Sequence, residues 1–232
     1  MKTPRFNLSP GRSERQNNLA DGVFAFAMTL LVLGLGVPLV TGTSINSELT
    51  YSLVRMWPEF LIYILSFMIL GVFWLMHHAI FDRVIYYDGT LAWFNIIFLM
   101  FVSLIPFSTA LFGAYGVERI IALVYGGNLA LLFTMLVSLF LYANSSKHRL
   151  TDSELDLDLV RGGRNMGVFY IILVLISMGI SFVSPLASFI IYGVTIGTII
   201  LLNVFGKSEI AYIWPSKSDK SISSDTEQES QS

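Results

Sequence analysis

The sequence contains no cysteine, which excludes disulfides and thiolate-ligated metals while fixing no redox compartment. Charge is also scarce. Only 13% of the 232 residues are Asp, Glu, Lys or Arg, against roughly a quarter in a soluble domain. Histidine occurs three times, leaving little material for a histidine-based metal centre. The formal net charge of -2 argues neither for nor against nucleic acid, because the sum hides an asymmetry between the two membrane faces; nucleic acid is not expected as a partner. What is abundant is apolar: 54% of residues are hydrophobic and the mean hydropathy is +0.69. That is more apolar surface than a soluble domain of this length can bury, so the expected solvent is a lipid bilayer.

The charges cluster between long apolar runs, and the runs predict an all-α bundle of six transmembrane helices. Leu19 to Val40 carries one charge, Asp21, and spans about 33 Å at ~1.5 Å per residue, enough for the hydrocarbon core. It is too long for the apolar region of a cleavable signal, so it is expected to remain as an anchor. Phe60 to Met76 is charge-free and flanked by Trp57 and His77, an interfacial ending. Leu91 to Phe112, containing Asn95 and Pro106, and Ile120 to Tyr142 give the third and fourth helices. Met166 to Phe205 would be about 60 Å long as one helix, about twice a bilayer, and Ser184-Pro185 near its middle divides it into a hairpin.

Six spans place Lys2, Arg5, Arg12, Arg15, Arg83, Lys147, Arg149, Arg161, Arg164, Lys207, Lys217 and Lys220 on one side, and only Arg55 and Arg119 on the other. This positive-inside bias predicts cytoplasmic N- and C-termini. Residues 1–18 are then a cytoplasmic N-terminal segment, 19–205 the membrane domain and 206–232 a cytoplasmic tail. The Ser-, Asp- and Glu-rich part of that tail after 215 is expected to be disordered. The fourth connection, Ala143 to Asn165, is expected to form a short helix, with Thr151 and Glu154 spaced as a capping box. No internal repeat is visible.

Polar residues inside a bilayer are costly and are the default functional candidates. In the first helix, Arg15 serves as a positive-inside anchor and Asp21 favours the positive end of the helix dipole, or both belong to a buried network. In the second, His77 and His78 point about 100° apart and do not chelate one metal together. They cap the helix end, or His77 joins Arg15 and Asp21 in a network fixing helix 1 against helix 2. His78 and Asp82 at i, i+4 offer only two metal ligands, and no metal site is expected.

These residues resemble the transmembrane protein 175 family of potassium channels, and in particular its prokaryotic members. The family opens its first helix with Arg-x-x-x-Phe-Ser-Asp and follows it with Thr-Leu-Leu. Here Arg15, Asp21, Thr29, Leu30 and Leu31 match in register, while Leu19 and Ala20 replace the Phe and Ser. The likeness continues through Phe73-Trp74-Leu75-Met76-His77-His78 and Phe81, then Asn95-Ile96-Ile97-Phe98-Leu99-Met100 and Pro106-Phe107-Ser108-Thr109. It covers Arg15 to Gly113, and helices 4 to 6 match in topology alone.

The resemblance implies a homotetramer in the plasma membrane with helix 1 around the axis, K⁺ as the permeant ion, no cofactor, and hydrophobic layers as the constriction. By register these fall at Phe26, at Thr29 or Leu30, and at Leu33; Leu30 is taken as the middle layer and Thr29 as an ion contact. Without the resemblance, the same spacing reads as a packing stripe. Thr29 alternatively bonds the carbonyl four residues back, at Ala25. No Thr-Val-Gly-Tyr-Gly filter is present, Tyr125-Gly126-Gly127 being the nearest string. The family usually has an aliphatic residue at the position of Phe26, and four phenyl rings would narrow or dewet a pore further. The alternative reading is a secondary transporter drawing on Asn95, Pro106, Asn128 and Gly126-Gly127. A metal-dependent membrane enzyme built on His77, His78 and Asp82 lacks a third ligand and a nucleophile, and the chain is not expected to be an enzyme.

Overall fold

The computed structural model describes residues 11–40, 45–145, 150 and 157–205, and among these the protein is all-helical. The helices are α1 (Gly11–Leu33), α2 (Ile45–Arg55), α3 (Trp57–Phe81), α4 (Gly89–Ser103), α5 (Ile105–Tyr115), α6 (Arg119–Ala143), α7 (Leu157–Ile180) and α8 (Pro185–Phe205). Four segments are long and apolar enough to cross a bilayer: α3, the α4–α5 pair taken as Gly89–Tyr115, α6, and Val160–Ile180 of α7. The apolar stretch Pro185–Leu201 of α8 is shorter.

Each boundary has a local cause. Pro58 sits in the first turn of α3, where a missing N–H costs nothing. Asp88 caps α4, its carboxylate accepting from Leu91 N–H at 2.8 Å. The expected single third helix is broken at Leu104, because Pro106 lacks an N–H and its ring clashes with the preceding turn. The Ser108 N–H and hydroxyl both donate to the carbonyl of Leu104, at 3.0 and 2.8 Å. Gly116, with φ of 73°, turns the chain from α5 towards α6. Asn144 closes α6 by donating to the carbonyl of Phe140 at 2.8 Å.

Three sequence expectations are corrected. Helix 1 does not run to Val40. It starts earlier, at Gly11, and ends at Leu33 in tight turns in which Gly34 and Leu35 N–H groups bond Leu31 and Val32. The stretch to Val40 is apolar but holds Gly34, Gly36 and Pro38, which do not sustain a helix. Second, α2 was not anticipated between the first two spans. Third, α7 begins at Leu157, well before Met166. Thr151, Glu154 and the tail 206–232 lie outside the described residues.

The helix ends gather into two layers. At one end Asp21 of α1 meets the C-terminal part of α3, and Tyr142 near the end of α6 donates to Asp88 at the start of α4. There the backbone N–H groups of Ile85 and Tyr86, between α3 and α4, both donate to the carbonyl of Leu150, at 2.8 and 3.1 Å. At the other end Arg119 donates to the carbonyl of Phe182, in the α7–α8 turn, at 3.1 Å. Between the layers, small residues bring α6 close to α7: a Cβ on Gly163 would stand 2.7 Å from the Phe140 ring, and one on Gly167 would strike Val137.

Candidate functional site

Helix α1 has two unlike faces. Ala20, Phe24, Ala27 and Leu31, spaced four, three and four apart, are buried against α3, α4 and α5. Phe24 is held by aromatic neighbours on two helices, with ring centroids 6.2 Å from His77 and 6.0 Å from Phe98. On the other face Phe26 is 66% exposed and Leu33 76% exposed, with Thr29 exposed and Leu30 half-buried between them. The chain's own fold therefore leaves three of the four positions expected as constriction and ion contact uncovered, and Leu30 partly so. Thr29 donates to the carbonyl of Phe26 at 2.8 Å, three residues back rather than to Ala25. Beside this face runs an apolar groove bordered by Leu19, Val23, Phe26, Leu30 and, from α4, Ser103.

The polar residues at the start of α1 are arranged differently from the expected network. Asp21 accepts a 2.8 Å hydrogen bond from the indole N–H of Trp74, and His78 Nε2 lies 3.6 Å from the same carboxylate oxygen. His77 does not join them: its Nε2 is 2.8 Å from Asn95 Oδ1 on α4. The reason is the angular step already noted. Trp74 and His78, one turn apart, share the face towards α1, so His77 must point elsewhere. It is buried between the rings of Phe81 and Phe98, with centroids at 4.3 and 5.4 Å. The side chain of Arg15 lies outside the described residues.

The expected network is thus two separate links, Asp21 with Trp74 and His78, and His77 with Asn95. Sequence reasoning missed Trp74 and Asn95 as partners, although the i, i+4 spacing of Trp74 and His78 carried the signal for the first. Among the described residues no group of three His, Asp or Glu side chains comes together. Just outside α3, burial pushes the Tyr87 phenol well above its ordinary pKa, so it remains neutral.

Of the residues weighed for a transporter, Asn128 belongs to a group of polar contacts inside the subunit. Thr109 donates to Ser66 at 2.8 Å, Ser66 lies 3.0 Å from the Tyr125 hydroxyl, and Asn128 donates to Ser108 at 3.2 Å. Gly126 is a packing glycine, since a Cβ there would strike the Tyr192 hydroxyl.

A family model described as endosomal/lysosomal potassium channel TMEM175 matches residues 15–106, from α1 to the start of α5. A potassium channel from Streptomyces collinus is 37% identical over 103 residues, which are 44% of this chain and 48% of that protein. The chain thus matches about half the length of that relative. A potassium channel from a Chryseobacterium species is 31% identical over 149 residues, 63% of this chain and 72% of the relative. Among solved structures, a crystal structure of a lysosomal potassium-selective channel TMEM175 homolog from Chamaesiphon minutus superposes with a TM-score of 0.70 at 30% identity. It covers 82% of this chain and 97% of that one. With the α1 register, the Trp74 and His77 contacts of α3 and Asn95 of α4 all inside the matched region, the chain belongs to the TMEM175 family.

Proposed function

We propose that the chain is a subunit of a potassium-permeable cation channel, a homotetramer whose four α1 helices surround the axis. The observation that carries this is the uncovered face of α1, where Phe26, Thr29 and Leu33 stand exposed and Leu30 half-buried while the opposite face is packed into the subunit. One helix cannot enclose an axial pore, so the proposal requires self-association. The Streptomyces and Chryseobacterium relatives are potassium channels, which supports the ion.

In this reading six spans cross the plasma membrane: α1, α3, the α4–α5 pair, α6, α7 and α8. The end holding Arg83, Arg161 and Arg164 is cytoplasmic, with residues 1–18 and the tail 206–232 on that side. Phe26, Leu30 and Leu33 form hydrophobic rings that gate by excluding water. Because Thr29 gives its proton to the Phe26 carbonyl, its oxygen retains lone pairs to offer a partly hydrated cation. Selectivity rests on side chains rather than a carbonyl cage, since Tyr125-Gly126-Gly127 lies within the packed helix α6. The Asp21–Trp74 and His77–Asn95 links are scaffold, holding α1 in register. No residue performs covalent chemistry and no cofactor is required; the partners are K⁺, lipid and further copies of the chain.

The test is K⁺ flux into liposomes holding the purified protein, wild type against Phe26→Ala. Flux that rises or loses selectivity in the variant places Phe26 at the constriction. A stable monomer in both detergent and lipid refutes the axial pore, and saturable flux coupled to protons points to a transporter instead.

A further inference from the structure

Helix α2 has no buried residue. Ile45, Leu49, Leu53 and Met56 recur at intervals of four, four and three and form one stripe. Ile45 is 59% exposed and Leu53 46% exposed, while Leu49 and Met56 are half-buried, so the stripe is partly uncovered. The opposite side carries Ser47, Thr50, Tyr51 and Val54, with Asn46 beside the stripe. We propose that α2 is an interfacial helix whose Ile45–Leu49–Leu53 stripe lies in the lipid boundary on the side of the membrane where α1 ends.

Position argues for lipid. Only Met56 separates α2 from α3, its N–H bonding Ser52 at 3.2 Å and its carbonyl accepting from Phe60 at 3.1 Å. α3 is among the segments able to span a bilayer, so a helix joined directly to its first turn stands at the boundary of the hydrocarbon core. The exposed apolar surface of α3 at Trp57, Phe60 and Leu61 takes up where the α2 stripe ends. Composition agrees, because Tyr51, Arg55 and Trp57 are residue types that settle at headgroup level, and the Arg55 guanidinium carbon lies 5.5 Å from the Tyr51 ring centroid. A stripe of aliphatic side chains with an aromatic and basic margin suits the acyl–headgroup boundary.

The absence of cysteine makes the test direct, since a single introduced thiol takes a spin label without competition. Full-length Leu53→Cys, Ile45→Cys and Thr50→Cys proteins would be labelled and reconstituted into phosphatidylethanolamine and phosphatidylglycerol vesicles. Collisions with oxygen and with a water-soluble nickel chelate would then be measured. The expected result is an oxygen-to-nickel ratio several-fold higher at Leu53 and Ile45 than at Thr50. Nickel access at all three sites overturns the proposal by placing α2 in water. Labels at Leu53 and Ile45 that are shielded from both reagents and broadened by a neighbouring label overturn it in favour of a second copy of the chain. Neither outcome depends on K⁺ flux, so the channel reading stands or falls separately.

Discussion

The carboxylate of Asp21 on α1 accepts the indole N–H of Trp74 on α3 at 2.8 Å, a polar link beside the packed face of α1. Asp21 is half-exposed, which limits the strength of the link, yet a hydrogen bond to a charged group remains stronger than a neutral one.

Trp74→Phe keeps most of the apolar volume and removes the donor. It should lower thermal stability in detergent by an amount equivalent to about 1 kcal/mol. Asp21→Ala should cost a similar amount, and the double variant less than the sum. Fully additive losses would show that the two residues do not interact.

His77 and Asn95 are buried, so removing one partner strands the other. Asn95→Leu should destabilise by about 1–3 kcal/mol, because the His77 ring nitrogen then has no acceptor. Adding His77→Phe should recover part of the loss, as replacing both partners with apolar groups is nearly neutral. Denaturation curves of the single and double variants check this, and no recovery would mean that the pair does not act as a unit.

Phe24 and Phe26 are two residues apart and point to opposite faces. Phe24→Ala should cost about 3–5 kcal/mol of stability, the range for a core phenylalanine, while Phe26→Ala leaves the subunit fold nearly unchanged and alters flux. If the two variants lose stability equally, the faces of α1 are misassigned.

Gly163→Leu forces a side chain into the Phe140 ring and should separate α6 from α7, destabilising the protein by about 1–3 kcal/mol. Gly179→Ala, which meets no neighbouring atom, is the control and should leave the melting temperature unchanged within a degree or so.

The outcome for α1 separates what composition encodes from what it leaves open. An apolar run reports affinity for lipid, so Leu19 to Val40 was read as a span, whereas α1 is not among the four segments long and apolar enough to cross a bilayer. The helix end at Leu33 depended on Gly34, Gly36 and Pro38, which hydropathy passes over. Pro185 was read as a breaker because the run was too long for one helix, whereas Pro106 sat in a run of ordinary length and its break at Leu104 went unread. Helix α2 escaped because its stripe is short and interrupted by serine and threonine. The exposed positions of α1 followed from helical periodicity joined to the family register. The partners of Asp21 and His77 did not, since each depends on how α1, α3 and α4 are rotated against one another, a tertiary property that spacing within one helix does not fix.

The single carbonyl of Leu150 that receives both Ile85 and Tyr86 gives the two connections at that end a common anchor. A pull on the connection between α6 and α7 is transmitted through that oxygen to the residues following α3. The same helix end holds α1 through Trp74 and His78, so strain applied outside the membrane has a short load path to the helix proposed to line the pore.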